Sequence, residues 1–178
     1  MSEGVAHQLS NSLEFIHKNL DGFKIKEKVD SMGIDGYINY CALLAAGSGA
    51  AAGIGGPITM IVGVPVDVAN TVAQQFRVTL AVIYHRTGRY AVSFPEFMKI
   101  VGLSLGVEVG MMGLQQVVRV IAQVILKKLT ARAAGRMIPF MGAAVGGGLN
   151  YAFIKTIGKT LLAFEDSIFT DRRALPSG

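Results

Sequence analysis

The chain has 178 residues, 51% hydrophobic and only 16% charged, enough apolar matter for one sizeable core and too little charge for a disordered, solvating polypeptide. Its single cysteine, Cys41, excludes an internal disulfide framework. Lys and Arg outnumber Asp and Glu by 17 to 12, and a mean hydropathy of +0.46 without any tryptophan directs that basic excess toward anionic lipid rather than nucleic acid.

The N-terminus lacks the charged start and apolar stretch of a secretory signal, so a cytoplasmic location is expected. From Val5 to Leu20 the apolar residues Leu9, Leu13, Ile16 and Leu20 recur at helical spacing, and Asp21-Gly22 closes the segment. Glu14 and His17 form half of a di-metal carboxylate motif. No second Glu-x-x-His occurs, so no metal site is expected, and His7 and His85 are equally isolated. Phe23 to Met32 reads as a short basic helix with Gly33 as its C-cap. Asp35 is placed to cap the next element, which runs through Tyr37, Ile38, Tyr40, Leu43 and Leu44 into a small-residue tract, Gly47 to Pro57.

The thirty-one residues from Gly36 to Val66 carry no formal charge and include seven glycines. Such a segment must lie against hydrocarbon, supplied by neighbouring helices or by acyl chains, because exposed glycine-rich backbone gains nothing to offset its lost entropy. One reading is a phosphate loop. Gly49, Gly53 and Gly55 match the glycine turn of short-chain dehydrogenases, and Tyr151 and Lys155 supply a Tyr-x-x-x-Lys pair, which makes an NAD(P)-binding oxidoreductase a minor alternative. That reading needs a strand before the turn, a helix directly after it and alternating strands and helices, and the pattern lacks them. The other reading is close helix packing, supported by the Gly-x-x-x-Gly steps Gly102, Gly106, Gly110 and Gly142, Gly146.

Pro65 to Thr87 carries the clearest helix signal, with Asp67 at its start and Gly88 past its end. Asp67, Asn70, Gln74 and Arg77 fall at steps of three and four and form one polar stripe, either a solvated face or a groove that needs partners. Ser93-Phe-Pro-Glu96 reads as a capping box opening a helix toward Met112, whose interior charge, Glu108, is expected to pair with Arg77 or Arg119. A further helix from Leu114 to Arg132 places Gln116, Arg119, Gln123, Lys127 and Thr130 opposite Val117, Ile121, Val124 and Leu129. With Lys128, Arg132 and Arg136, its basic end suits either an anionic leaflet or the negative end of the helix dipole. Met137-Ile-Pro139 breaks the chain, and a last helix runs through Ala143, Asn150, Tyr151, Lys155 and Lys159 to Phe169. No uncharged stretch is both long and regular enough for an ordinary spanning helix, although hairpin insertion of residues 36–66 remains open.

The glycine-rich segment leading into Gly63-Val-Pro65-Val-Asp67, the helix with Gln74 and Arg77 ending before Gly88, and the late Ile138-Pro139-Phe-Met-Gly142-Ala-Ala-Val-Gly146-Gly-Gly-Leu-Asn150-Tyr151 together resemble the EcsC family of bacterial proteins. The resemblance covers about residues 36–164 and leaves residues 1–35 as an N-terminal helical extension. It implies a mainly helical protein with no established enzymatic activity, membrane-associated and found near transport genes.

The expectation is therefore an all-α, single-domain bundle of about six or seven helices over residues 1–178, non-enzymatic and without cofactor, peripherally membrane-associated. Its expected partner is lipid or an anionic membrane surface, or alternatively a membrane protein on which it docks. The polar groups Asp67, Asn70, Gln74, Arg77, Glu108 and Asn150 are the ligand residues, and Lys127, Lys128, Arg132 and Arg136 the membrane contacts.

Overall fold

The structure, a computed structural model, describes residues 3–47, 66–130 and 142–170. Among them are seven α-helices and no strand: α1 Glu3–Lys18, α2 Ile25–Ala46, α3 Val66–Thr87, α4 Phe94–Ser104, α5 Leu114–Thr130, α6 Gly142–Leu162 and α7 Ser167–Thr170. A 3-10 turn, η1, covers Leu20–Phe23 between α1 and α2. The expected all-α bundle is what the chain forms. The phosphate-loop glycines lie outside the described residues, as do Arg132, Arg136 and residues 48–65 of the 36–66 tract expected to be open to hairpin insertion.

Helix α3 is the axis of the bundle. Every residue from Thr71 to Ile83 is buried, which requires neighbours on all sides, and α3 touches α1, α2, α4, α5, α6 and α7. An all-round buried helix is ordinarily apolar throughout; α3 is not, and its threonines show how part of the polarity is absorbed. Thr71 and Thr79 donate to the carbonyls of Asp67 and Gln75, at 2.8 and 2.9 Å, which removes the need for any tertiary partner.

The chargeless run begins as the second half of α2 and does pack against helices, α3 and α6. Three α2–α3 hydrogen bonds set its register: Leu44 with Asn70, Tyr37 with Arg77 and Asp30 with Tyr84. The partners step seven residues down one helix and seven up the other, which is two turns on each and marks an antiparallel pair. The C-cap expected at Gly33 would end a short basic helix over Phe23 to Met32. The backbone does break there, at φ 73 and ψ 168, but α2 resumes directly after it.

Glycine-smoothed contacts exist, at the expected Gly102, where a Cβ would lie 2.8 Å from Val109 Cγ1 and 3.2 Å from Ile121 Cδ1 of α5, and at two positions the sequence reading did not single out. A Cβ at Gly158 of α6 would lie 2.7 Å from Ile38 Cγ2, and one at Gly147 would lie 2.8 Å from the Ala46 carbonyl oxygen, so the α6 backbone meets an α2 side chain at one point and the α2 backbone at the other. Gly106 and Gly110 instead serve a turn. Helix α4 stops at Ser104 rather than near Met112 because Gly106, at φ +78, ends it in a Schellman motif. There Val107 N–H donates to the Gly102 carbonyl at 2.9 Å and Gly106 N–H to that of Leu103 at 3.0 Å.

Two arginines explain the remaining boundaries. Glu96 does not complete a capping box; Ser93 makes no side-chain cap bond, and Arg89 takes both Glu96 oxygens at 2.7 and 2.9 Å. Helix α6 ends at Leu162, short of Phe169, because Arg86 donates to the carbonyls of Leu162 and Phe164 and to Asp166. The chain then turns, and α7 buries Phe169 completely. At the N-terminus α1 lies mainly along α5, with Leu9, Leu13 and Ile16 fully buried.

Candidate functional site: a buried arginine among neutral partners

The polar stripe of α3 faces inward. Asn70 donates to the Leu44 carbonyl at 2.9 Å, one of the last carbonyls of α2, which have no partner within their own helix. Gln74 donates to Asn70 Oδ1 at 2.9 Å, and Arg77 Nη1 donates to Gln74 Oε1 at 2.8 Å. Arg77 Nε then donates to the Tyr37 hydroxyl at 3.1 Å. Spacings of four and three residues make this ladder possible, since they put each side chain one turn above the last. The solvated-face alternative is excluded for Gln74 and Arg77, which are 3% and 1% exposed.

Around the guanidinium stand three aromatic rings. Arg77 Cζ lies 4.7 Å from the Phe23 centroid, 5.5 Å from Tyr40 and 5.7 Å from Tyr37, all within cation–π range. A second cation approaches one of these rings: Lys28 Nζ donates to the Tyr40 hydroxyl at 3.1 Å and sits 4.6 Å from that ring. Lys28 and Tyr40 are twelve residues apart, about 18 Å along a straight helix. The break at Gly33 brings them together.

The electrostatics are unusual for a core. Arg77 Nη2 is buried with no hydrogen-bond partner, and none of the four ion pairs between described residues includes Arg77 or Lys28. Burial opposes the charge on Arg77, but Cys41, Tyr37 and Tyr40 hold its pKa above the ordinary arginine value, so it is a cation at any physiological pH. Burial also pushes the Tyr37 hydroxyl far up and the Cys41 thiol to about 11, so both neighbours are neutral. For Tyr40 burial acts upward too, yet Lys28 and Arg77 outweigh it and its pKa falls. A desolvated charge with neutral partners alone costs several kcal/mol unless an anion meets it.

No family model, curated protein or solved structure matches this chain. The other residues singled out in the sequence are dispersed. Asp67 is partly exposed in the first turn of α3, and Asn150 is 5% exposed on α6 with no hydrogen bond to the ladder. Glu108 is exposed in the link after α4, beyond the Schellman turn, and takes part in no ion pair among the described residues, so the expected pairing with Arg77 or Arg119 is not made. Lys127 and Lys128 are exposed in the last turn of α5, where Lys128 donates to the Leu105 carbonyl at 3.0 Å. Tyr151 donates to Asn39 Oδ1 at 2.6 Å, and Tyr151 and Lys155 lie on a helix, with no parallel sheet among the described residues to hold a dinucleotide.

Sequence reading missed Phe23, Lys28, Tyr37 and Tyr40. The signal for the tyrosines was present: two phenols within a chargeless run must find hydroxyl partners once the run is buried. Elsewhere, Glu14 pairs with Lys18 at 2.8 Å and His17 lies against Phe94 and Phe97; no group of three or more metal-ligating side chains occurs among the described residues. No described helix is long and apolar enough to cross a membrane.

Proposed function

We propose that this chain is a non-enzymatic helical protein that binds lipid at an anionic membrane surface, accessory to a membrane transport system as its resemblance to the EcsC family implies. The observation that carries the reading is Arg77, a cation 1% exposed whose described partners are all neutral. An anionic headgroup is the counter-ion such a site lacks, and the apolar helices around it suit the chain attached to that headgroup. The basic excess of the whole chain and the exposed Lys127 and Lys128 favour approach to an anionic leaflet.

Flotation with phosphatidylglycerol and phosphatidylcholine vesicles tests it. The protein rises with the anionic vesicles and stays behind with the neutral ones; equal recovery in the unbound fraction with both contradicts the proposal. A second reading, docking on a membrane protein, draws on an open groove of about 790 Å³ between α1 and α5, lined by His7, Asn11, Glu14, Arg119 and Gln123 among others. Recovery of one specific partner from detergent extract, unchanged by added lipid, favours that reading instead.

A further inference from the structure

We infer that Arg77 and Lys28, with the hydroxyls of Tyr37 and Tyr40, form a two-cation receptor for a phosphate monoester group, entered by displacing the ring of Phe23. It deepens the function proposed above and rests on it for the source of the phosphate.

Two observations and a charge balance converge. The guanidinium spends Nε on Tyr37 and Nη1 on Gln74, leaving Nη2 as a donor with no acceptor. A buried donor left unmade is rare in a native core. The second cation, Lys28, donates to the Tyr40 hydroxyl and has no carboxylate partner among the described residues either. The charge of the pair selects the ligand: one carboxylate or phosphodiester balances one cation, whereas a phosphate monoester near neutral pH carries about 1.5 to 2 negative charges and presents three acceptor oxygens. The Arg77 Nη2 group, the Lys28 ammonium and the two phenols supply donors for all three.

The site stands closed, with Arg77 and Tyr37 out of reach of solvent. Its half-exposed members, Phe23, Lys28 and Tyr40, mark the way in. Phe23 belongs to the four-residue turn η1, next to Lys24, whose φ of +50 places it in the left-handed region. Phe23 is not in the fully buried core, and its ring covers the guanidinium at 4.7 Å. Entry of the anion exchanges one cation–π contact for charge-assisted hydrogen bonds, which are the stronger interaction in a dry site.

The test is a thermal-shift and native mass-spectrometric titration of the full chain at constant ionic strength with three probes: inorganic phosphate, dihexanoyl phosphatidic acid and dihexanoyl phosphatidylcholine. Phosphatidic acid binds one to one and raises Tm by about 5–10 °C at a concentration roughly a hundredfold above Kd, and phosphatidylcholine does neither. A shift with phosphatidic acid alone, or with phosphatidic acid and phosphate together, supports a headgroup receptor. A shift with phosphate alone supports the anion receptor while removing the lipid as its source. Arg77→Lys weakens binding by about tenfold or more through loss of the free Nη2 donor, and Lys28→Met, at a half-exposed position that does not threaten folding, weakens it similarly. No shift with either phosphate probe, or wild-type affinity in Lys28→Met, overturns the inference. In that event flotation on phosphatidylglycerol, run on the same Lys28→Met protein, separates the two proposals: retained flotation leaves membrane binding standing without the receptor.

Discussion

Gly158→Ala measures the close approach of α2 and α6 directly. A Cβ at this position would lie 2.7, 3.0 and 3.2 Å from Cγ2, Cδ1 and Cγ1 of Ile38, which is itself 3% exposed. Carbon atoms rest at about 3.5–4.0 Å, so Ile38 must retreat by close to an ångström into packed surroundings. Overpacking of that kind costs about 1–3 kcal/mol, while replacing glycine within a helix returns up to about 1 kcal/mol. Gly148→Ala supplies the reference, since it lies in the same helix, is exposed, and a Cβ there meets nothing within 4 Å. Urea denaturation of both variants therefore separates the clash from the helix term: Gly158→Ala falls below Gly148→Ala by about 1–3 kcal/mol, or a Tm gap of roughly 2–4 °C per kcal/mol in a chain of this length. Ile38→Ala removes all three clashing atoms, so the double variant recovers most of that gap in a mutant cycle. Equal stabilisation by the two glycine substitutions would refute the close α2–α6 contact.

Three other outcomes follow from individual side chains. Gln75 is fully buried with neither amide atom paired, so Gln75→Leu, of similar volume, stabilises the fold by about 1–2 kcal/mol in the same urea assay; a loss of stability contradicts the assignment of an unpartnered amide. Burial holds the pKa of His17 below its ordinary 6.5. The folded state thus binds fewer protons than the unfolded one between the lowered value and 6.5, and the contribution of His17 is complete above 6.5 and lost as pH falls toward the lowered value. Between about pH 7 and pH 5 the wild type accordingly loses more stability than His17→Gln, and parallel profiles contradict this. Cys41, fully buried and with its thiol pushed up to about 11 by burial against the partial opposition of Arg77, reacts with a thiol reagent only as fast as the molecule opens. Stoichiometric labelling within mixing time contradicts the packing of the chargeless run.

The stripe from Asn70 to Arg77 was legible in the sequence because its spacing is a property of one helix. Which way it faced was not, since burial of α3 on all sides depends on six neighbouring helices. The rings around Arg77 come from η1 and α2, 37 to 54 residues upstream, and no local pattern announces that Tyr37 stands opposite Arg77. The Schellman turn could have been read: Gly106 followed by buried Val107 is a stop signal as much as a step in a glycine stripe, and the stripe reading prevailed only because Gly102 and Gly110 share its spacing. Glu96 illustrates the converse. The capping-box letters are present, yet Arg89 Nη2, a charged donor set between both oxygens of its carboxylate, is a stronger partner than a backbone N–H.

The charge on Arg77 calls for an anion that the described chain does not supply. Nitrogen-edited NMR of the arginine side chains, followed while dihexanoyl phosphatidic acid is added, observes that group itself. A saturable downfield shift of the Arg77 Nη protons, absent with dihexanoyl phosphatidylcholine, is the predicted result; Arg77 resonances that stay in place at saturating ligand contradict it.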